Sequence, residues 1–296
     1  MIQNPVPYSV SAWRLLLSEP ADGPLNMAID EAILLAVAQG RSLPTLRFYR
    51  WAPPCLSLGY AQPVADADFA RLAALGSDCV RRPTGGKAIL HTDELTYSIN
   101  APQTDPRMGG GIVESYQRLS EGLLRGLTLL GAVARNDKTF TTESTESAEK
   151  DKRENSVDSV LSAVKNNPVC FITPSNYEIT ANGKKLIGSA QSRKQSMVLQ
   201  HGSLPLAGDI ARICEVLAFP DEAARAEARR RVRERATTLE AALGRAVSWQ
   251  AAAEAMALGF AEVLALELHP GALTAEEWET ARRLRDTKYS QPQLQA

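Results

Sequence analysis

Apolar residues recur every three or four positions in several stretches of this chain, a spacing that predicts amphipathic helices. The first stretch begins near Asn26, a candidate capping residue, and the third ends before Gly131, a residue type that often follows a helix. From Asp209 onward the sequence is rich in Ala and Arg, both good helix formers. The predicted helices cover residues 25–38, 67–75, 113–130, 209 to about 266, and 274–285. The C-terminal quarter of the chain is therefore expected to be helical.

Other stretches alternate apolar and polar residues, which predicts β-strands. Residues 45–51 and 53–60 lie on either side of a Pro-Pro break and are expected to be two strands joined by a tight connection. The pair Asn182-Gly183 separates two further alternating segments and is the strongest hairpin signal in the chain. The other predicted strands cover residues 79–82, 88–91, 94–102, 177–180, 184–189 and 197–206. Strands should therefore dominate the middle of the chain.

Residues 136–167 follow neither pattern, because they are polar, mixed in charge and poor in apolar side chains. Such a segment buries too little apolar surface to offset the entropy lost on ordering. We therefore expect a disordered surface insertion. The length of 296 residues is enough for one large domain, or for one domain with a small appendage. The predicted organisation is a core over residues 13–208, interrupted by this insertion, and a helical part over residues 209–296 packed on the same domain.

The composition argues against several classes of protein. The 33 basic and 34 acidic residues nearly balance, so the total charge gives no support for a nucleic-acid or membrane partner. The chain shows no signal-peptide pattern and no apolar run long enough to span a bilayer, and a cytoplasmic location is expected. Its four cysteines form no CxxC pair and only three histidines accompany them, so no metal site is expected. Any cysteine chemistry would use a free thiol.

A glycine turn bracketed by cations follows the predicted strand 79–82. The turn consists of Arg81, Arg82, Pro83, Thr84, Gly85, Gly86 and Lys87. Glycines let the backbone approach a ligand closely, and backbone N–H groups with nearby cations suit an anionic or carbonyl group. The competing interpretation is an ordinary hairpin turn with solvated charges. The sequence has no Walker A motif and no GxGxxG motif, which argues against a generic nucleotide site.

Cys170 and Lys185 are a candidate nucleophile and its activating cation. Cys170 lies in the short apolar segment PVCF, and Lys185 lies on the second arm of the predicted hairpin. A nearby cation lowers the pKa of a thiol and so raises the fraction of reactive thiolate at neutral pH. The competing interpretation of Cys170 is a buried structural thiol, and we expect the other three cysteines to be structural thiols of this kind.

Two histidines and a group of small or amide residues are candidate binding residues. His91 and His201 each lie beside a turn or a Gly, where an imidazole can act as a general base or bond to the backbone as a structural residue. Small side chains leave room for a ligand and buried amides orient it, although tight sheet packing uses the same residues. This group comprises Gly188, Ser189, Ala190, Gln191, Gln200 and Gly202.

Five motifs follow one another in order along residues 81–206. They are RRPTGGKAILH, ELTYSI, PVCFITPSNYEI, GKKLIGSAQSR and LQHGSLPL. Together they resemble the lipoate–biotin ligase and octanoyltransferase superfamily, and within it the cysteine-dependent octanoyl-acyl carrier protein:protein N-octanoyltransferases. The resemblance implies an α+β fold in which helices flank a mixed β-sheet, as in lipoate and biotin ligase catalytic domains, with a helical C-terminal region.

The resemblance also implies a reaction and its partners. In that family a cysteine carries the acyl group as a thioester and a lysine lowers the cysteine pKa, roles that fall on Cys170 and Lys185. Octanoyl-acyl carrier protein is the implied donor, and a lysine of a lipoyl-carrier protein (glycine cleavage H protein or an E2 domain) is the acceptor. The acyl chain would lie in a tunnel beside the glycine turn, and no ATP or other cofactor is required. Arg81, Arg82 and Lys87 would attract the acidic carriers.

Three other functions are compatible with the same motifs. An ATP-dependent lipoate ligase would use Lys185 to contact an acyl phosphate and would need no cysteine. An amidotransferase would keep Cys170 but take octanoate from one lipoyl-type protein to another. A non-catalytic protein that binds acyl chains or carriers would share only the fold.

Overall fold

The computed structural model of the chain describes residues 8–137 and 178–290. Cys170 and all but two residues of the predicted insertion lie outside the described residues. Those two, Asn136 and Asp137, end a β-strand in which they pair with Ile179 and Glu178. The prediction of a disordered segment was therefore wrong at these two positions, because a partner strand distant in sequence supplies the hydrogen bonds that their composition does not suggest.

Strands and helices are interspersed through the first half of the described chain, and helices dominate its end. The strands are β1 (Ser11–Leu17), β2 (Thr45–Tyr49), β3 (Cys55–Leu58), β4 (Asp78–Arg81), β5 (Ile89–His91), β6 (Glu94–Pro102), β7 (Ala134–Asp137), β8 (Glu178–Ala181), β9 (Lys184–Lys194), β10 (Met197–Pro205) and β11 (Leu266–Pro270). The α-helices are α1 (Gly23–Ala38), α2 (Phe69–Ala74), α3 (Ile112–Leu129), α4 (Glu222–Arg235), α5 (Leu239–Leu243), α6 (Trp249–Leu264) and α7 (Ala275–Leu284). None of the helices in the described ranges is long and apolar enough to cross a membrane.

The strands form two sheets. The main sheet has the order β11-β1-β2-β6-β10-β9-β8-β7 and the small sheet has the order β4-β3-β5. In the main sheet β1 runs parallel to β2 and β11, whereas the other neighbours are antiparallel. The predicted strands on either side of the Pro-Pro break both exist, as β2 and β3, but they belong to different sheets. The connection between them carries the chain from one sheet to the other.

Helix α1 begins where local chemistry satisfies its free N–H groups. Asp22 is the capping residue, since its carboxylate accepts a hydrogen bond of 2.7 Å from the Leu25 N–H. The predicted cap, Asn26, lies one turn inside the helix and is buried, and its amide donates to the carbonyls of Ala21 and Arg50. The cap prediction was wrong because the helix starts earlier than the apolar spacing indicated, at Gly23.

Two predictions concern the hairpin and the C-terminal quarter. Asn182 and Gly183 have φ values of 52° and 75°, which the tight turn between β8 and β9 requires, so the predicted hairpin is confirmed. The helices predicted after residue 209 are also present, but α6 ends at Leu264 and β11 follows it. The spacing did not predict β11, because this strand depends on its parallel pairing with β1 at the other end of the chain.

The side-chain alternation along β2 divides the main sheet into two covered faces. Phe48 packs in a buried cluster with α3 and α6, whereas the next residue, Tyr49, packs in a second cluster with α1 and α7. The small sheet and α4 share a third cluster, which contains Leu56 and Val232. Helices therefore lie on both faces of a mixed sheet, and the predicted fold class is confirmed.

Candidate active site

A cavity of about 80 Å³ lies between the α1 face of the main sheet and the small sheet. Residues from both sheets and one residue of α1 line it. The lining residues are Met27, Tyr49, Trp51, Ser57, Arg82, Gly86, Ile89, His91, Thr96, Lys185, Gly188, Ser189, Ala190, His201, Gly202 and Ser203. Residues far apart in the sequence therefore meet around one cavity.

Strand register explains why the main-sheet residues share this cavity. Tyr49 pairs with Thr96, Thr96 pairs with Ser203, and Ser203 pairs with Gly188. This row runs across four adjacent strands, from β2 to β9. Neighbouring strands lie about 4.8 Å apart, so the three intervals span roughly 14 Å. The cavity thus crosses the strands rather than following one of them.

The two arginines of the glycine turn are buried and bonded to backbone carbonyls. The Arg82 guanidinium donates to the carbonyls of Gly85, Lys87 and Ser57 at 2.7 to 3.2 Å. Arg81 donates to three carbonyls in residues 59–62 at 2.7 to 3.1 Å. Each arginine is only 4% exposed. Arg82 therefore holds the glycine turn and Arg81 holds residues 59–62, while the attraction of acidic carriers by these two charges stays a prediction.

The glycine turn is not an ordinary hairpin turn, since its flanking strands β4 and β5 lie on opposite sides of β3. The backbone of the turn contacts the end of β3 closely: a Cβ atom on Gly59 would lie 1.8 Å from the Gly86 carbonyl oxygen. Gly86 itself has a φ of 91°, which favours glycine. Of the predicted turn residues, Arg82 and Gly86 line the cavity, while Arg81, Gly85 and Lys87 lie outside the lining.

His91 is held on both ring nitrogens. Its Nδ1 lies 2.7 Å from Glu94 Oε1 and its Nε2 lies 2.8 Å from Ser57 Oγ. The ring also stacks on Trp51 with 4.0 Å between centroids. Burial would raise the pKa of Glu94, but the neighbouring His91 and hydrogen bonds from His91, Ser203 and Thr96 hold that pKa below its ordinary value. His91 is therefore a fixed part of the cavity wall next to an ionised carboxylate.

His201 lines the cavity and is buried. Its Nε2 lies 2.5 Å from Thr84 Oγ1, which joins the main sheet to the glycine turn. Burial lowers the pKa of His201 below 6.5, although Asp30, whose carboxylate lies 3.8 Å away, acts in the opposite direction. Asp30 forms a buried ion pair of 2.7 Å with Arg47. Thr84 therefore contributes to the site through His201 rather than as a lining residue.

Lys185 lies at the β9 end of the cavity and is only 4% exposed. Its ammonium group donates a hydrogen bond of 2.6 Å to Glu178 across the β8–β9 hairpin. A side chain at Gly188 would crowd it, since a Cβ there would lie 3.3 Å from Lys185 Cε. The hairpin thus brings a buried cation to the cavity.

The small and amide residues separate into two groups. Gly188, Ser189, Ala190 and Gly202 line the cavity, and Gly202 leaves no room for a side chain because a Cβ there would lie 2.6 Å from the Tyr97 ring. The predicted amides Gln191 and Gln200 do not line it. They bond to each other at 3.0 Å, and Gln200 also donates to the Tyr97 hydroxyl at 2.9 Å.

The cysteines that the structure describes are poor nucleophiles. Burial raises the pKa of Cys79 to about 12 and that of Cys214 to about 11. Burial also raises the pKa of Cys55 well above its ordinary value. All three therefore remain thiols at neutral pH. The fourth cysteine, Cys170, lies outside the described residues.

Sequence reasoning missed nearly half of the cavity lining. The missed residues are Met27, Tyr49, Trp51, Ser57, Ile89, Thr96 and Ser203. Thr96 and Ser203 are polar, buried and two positions from other inward-facing polar residues, a pattern that an alternation analysis can detect. In the described ranges no group of three His, Cys, Asp or Glu residues could hold a metal ion.

The fold and this cavity define a class of protein. Residues 22–261 match the family model of the lipoyl protein ligase A/B catalytic domain, and the chain belongs to this family. A chain from the structure of a bipartite lipoate protein ligase and its E2 lipoyl domain from Thermoplasma acidophilum is 26% identical, with a TM-score of 0.74 and 94% of each chain covered. A lipoate-protein ligase A bound with ATP is also 26% identical, with a TM-score of 0.72 over 95% of this chain and 96% of that one.

Within the family, the chain is similar to proteins named octanoyltransferase LipM. The LipM of Kyrpidia tusciae is 43% identical over 276 residues, 93% of this chain and 95% of the relative. The LipM of Moorella thermoacetica is 42% identical over 282 residues, 94% of this chain and 95% of the relative. The LipM of Symbiobacterium thermophilum is 41% identical over 278 residues, with the same coverage. The resemblance drawn from the five sequence motifs is confirmed.

Proposed function

We propose that this protein transfers an octanoyl group from acyl carrier protein, through a thioester on Cys170, to a lysine of a lipoyl-carrier protein. The observation that carries the proposal is the buried Lys185 cation in a cavity beside the glycine turn, in a chain with LipM octanoyltransferases as relatives. The raised pKa values of Cys55, Cys79 and Cys214 support Cys170 as the nucleophile, because a thiolate is needed.

In the first half-reaction the Cys170 thiolate attacks the carbonyl carbon of the donor thioester. A new carbon–sulfur bond forms to Cys170, the bond to the carrier sulfur breaks, and the carrier thiolate leaves and takes up a proton. Lys185 supplies the positive charge that favours the thiolate form of Cys170. Backbone N–H groups of the glycine turn stabilise the oxyanion that develops on the carbonyl oxygen.

In the second half-reaction a neutral lysine amine of the acceptor attacks the Cys170 thioester. The carbon–nitrogen bond forms, the carbon–sulfur bond breaks, and the proton lost by the amine goes to the leaving sulfur or to water. Thioester exchange is close to balance, whereas formation of an amide is downhill, so no ATP is consumed. The acceptor in this proposal is the glycine cleavage H protein or an E2 lipoyl domain.

The test is intact-mass spectrometry of the protein after incubation with octanoyl-acyl carrier protein in the absence of ATP. We expect an octanoyl adduct that neutral hydroxylamine removes, present in the wild type and absent in Cys170→Ala. The matched control is Cys79→Ala, which removes a thiol with a raised pKa and should keep the adduct. An adduct that persists in Cys170→Ala would overturn the thioester route.

The likeness to a lipoate-protein ligase A bound with ATP favours a second candidate, an ATP-dependent ligase. That function predicts attachment of lipoate to a carrier domain only with ATP and magnesium, and it predicts full activity in Cys170→Ser. Octanoyl transfer predicts instead that the carrier domain is acylated from octanoyl-acyl carrier protein without ATP, and that Cys170→Ser is inactive. Measuring both reactions with the wild type and Cys170→Ser therefore separates the two candidates.

A further inference from the structure

The cavity between the two sheets has chemically different ends. Lys185 and Gly188 come from β9, whereas Tyr49 comes from β2 at the other end of the row of paired strands, and Met27 of α1 and Trp51 pack beside Tyr49. The last three side chains belong to one buried cluster. If the proposed function holds, the acyl carbonyl reacts near Lys185, and the hydrocarbon tail of the substrate extends across the strands toward α1.

Two of the three side chains at the α1 end are fixed by polar contacts. The Tyr49 hydroxyl donates to Asp30 at 3.0 Å. The Trp51 indole N–H donates to Thr96 at 2.7 Å, and its ring stacks on His91. Neither ring can withdraw from the cavity without breaking a buried hydrogen bond.

Met27 differs from both rings. It is 1% exposed, projects from α1 into the cavity lining and has no polar atom to satisfy. Its side chain is unbranched and flexible, so it fits closely against an apolar group. At this end of the cavity, Met27 is therefore the described side chain whose size can change without loss of a hydrogen bond.

We infer that Met27 closes the acyl end of the cavity and sets the longest acyl chain that the site accepts. This inference rests on the proposed function and names its substrate class, which is an unbranched saturated acyl chain that ends against Met27. Shortening this side chain opens room for additional methylenes, and enlarging it removes room for those that octanoate has.

The expected effect follows from the burial of methylene groups. Each methylene that gains an apolar contact changes binding about fourfold, which corresponds to about 0.8 kcal/mol. Met27→Ala should therefore raise the preference for decanoyl over octanoyl donors by about 15-fold for two methylenes. Met27→Phe should shift the preference toward hexanoyl donors, and Met27→Leu, which nearly conserves volume, should leave the profile unchanged.

The experiment measures kcat/KM for acyl-enzyme formation with hexanoyl, octanoyl, decanoyl and dodecanoyl carrier proteins, using the full chain and its variants. Met197→Ala is the matched control, because Met197 is 4% exposed and belongs to the same buried cluster but does not line the cavity. A shift in Met27→Ala and Met27→Phe, in opposite directions and absent from Met197→Ala, supports the inference. If Met27→Ala does not fold, the shift in Met27→Phe decides.

Two results would overturn the inference. One is an unchanged chain-length profile in folded Met27 variants that still form the octanoyl thioester, which leaves the proposed function intact. The other concerns the case in which the wild type accepts no acyl group, so that the proposed function fails and acyl transfer cannot be measured. In that case stabilisation by free octanoic, decanoic and dodecanoic acids, measured by thermal unfolding, tests the cavity directly. If the three acids stabilise the wild type and Met27→Ala in the same order, Met27 does not limit the size of the acyl chain. If longer acids stabilise Met27→Ala more than they stabilise the wild type, the size-limiting role is supported.

Discussion

Lys185 and Arg82 both bring a positive charge to the cavity, but the two charges have different neighbours. Arg82 donates to backbone carbonyls of the glycine turn and of β3, so these hydrogen bonds hold its guanidinium in place. Lys185 bonds to the side chain of Glu178 on the neighbouring strand. An ammonium group in a buried position favours ionisation of a nearby thiol more strongly than one in water does, because the surroundings screen it less.

Replacing Lys185 by Gln tests whether this charge activates Cys170. Gln keeps a donor for Glu178 but removes the charge, so the pH at which Cys170 becomes reactive should rise by about one unit or more. The measurement is the rate of iodoacetamide alkylation of Cys170, followed by peptide mass mapping across a pH series. Lys184→Gln is the control, since Lys184 is its neighbour on the same hairpin but bonds to the carbonyl of Arg233. Equal midpoints for the two variants would contradict the assigned role of Lys185.

Some residues of the site could be predicted from the sequence and others could not. Motif positions such as Lys185, His201 and Gly86 were identified because their chemistry is visible in the sequence. Met27 and Tyr49 were not, since an apolar residue that lines a cavity has the same sequence signature as one in a core. For Tyr49 the register of β2, β6, β10 and β9 distinguishes these two environments, and for Met27 the packing of α1 between the two sheets does.

At the scale of elements, the close approach between β3 and the glycine turn fixes the position of the turn beside the cavity. The end of β3 leads into Gly59, whose position excludes a side chain because the Gly86 carbonyl lies against it. The Arg82 guanidinium holds the same turn through Gly85 and Lys87. The turn is thus held from two sides, and its N–H groups keep a defined direction.

Gly59→Ala should disrupt this arrangement. A methyl group there meets the Gly86 oxygen at 1.8 Å, so the turn must move, and we expect a loss of stability of about 2 kcal/mol or more together with at least a tenfold loss of acyl transfer. Gly85→Ala is the control in the same turn, since nothing lies within 4 Å of its added methyl. Urea unfolding and acyl-enzyme formation measure the two effects. Equal behaviour of the two variants would show that the contact does not hold the turn.

Elements whose pattern is local were predictable, and those that depend on distant partners were not. The β8–β9 hairpin follows from its own turn residues, and α3 follows from the spacing of its apolar positions. By contrast, β1 and β11 lie near opposite ends of the described chain, and each depends on the other for its parallel pairing. The separation of β2 and β3 into two sheets likewise depends on their partner strands, which no local pattern specifies.

At the scale of the whole molecule, the buried His201 makes stability depend on pH. The pKa of His201 in the folded protein lies below the ordinary 6.5 of the unfolded chain. Between these two values the unfolded chain binds a proton at this position and the folded protein does not. The free energy of unfolding therefore falls as the pH drops below about 6.5, until the folded pKa is reached.

This slope is measurable as the urea unfolding free energy of the wild type and His201→Gln between about pH 7 and pH 5. Each pH unit inside the window should cost the wild type up to about 1.4 kcal/mol, and His201→Gln should lose that part of the slope. The control is His269→Gln, since the side chain of His269 is 49% exposed. If His201→Gln shows the same slope of unfolding free energy against pH as the wild type, a group other than His201 causes the pH dependence.

The first and last parts of the described chain are packed together. Arg14 of β1 forms two hydrogen bonds, of 2.8 and 2.6 Å, with Glu277 of α7, which lies 263 positions later. Ala281 of α7 shares a buried cluster with Ile33 of α1. A ribosome makes a chain from its N-terminus, and contacts between distant residues form only after both have emerged. Helix α1, which carries Met27, is therefore synthesised before α7, and the side of α1 that faces α7 stays uncovered until α7 has emerged.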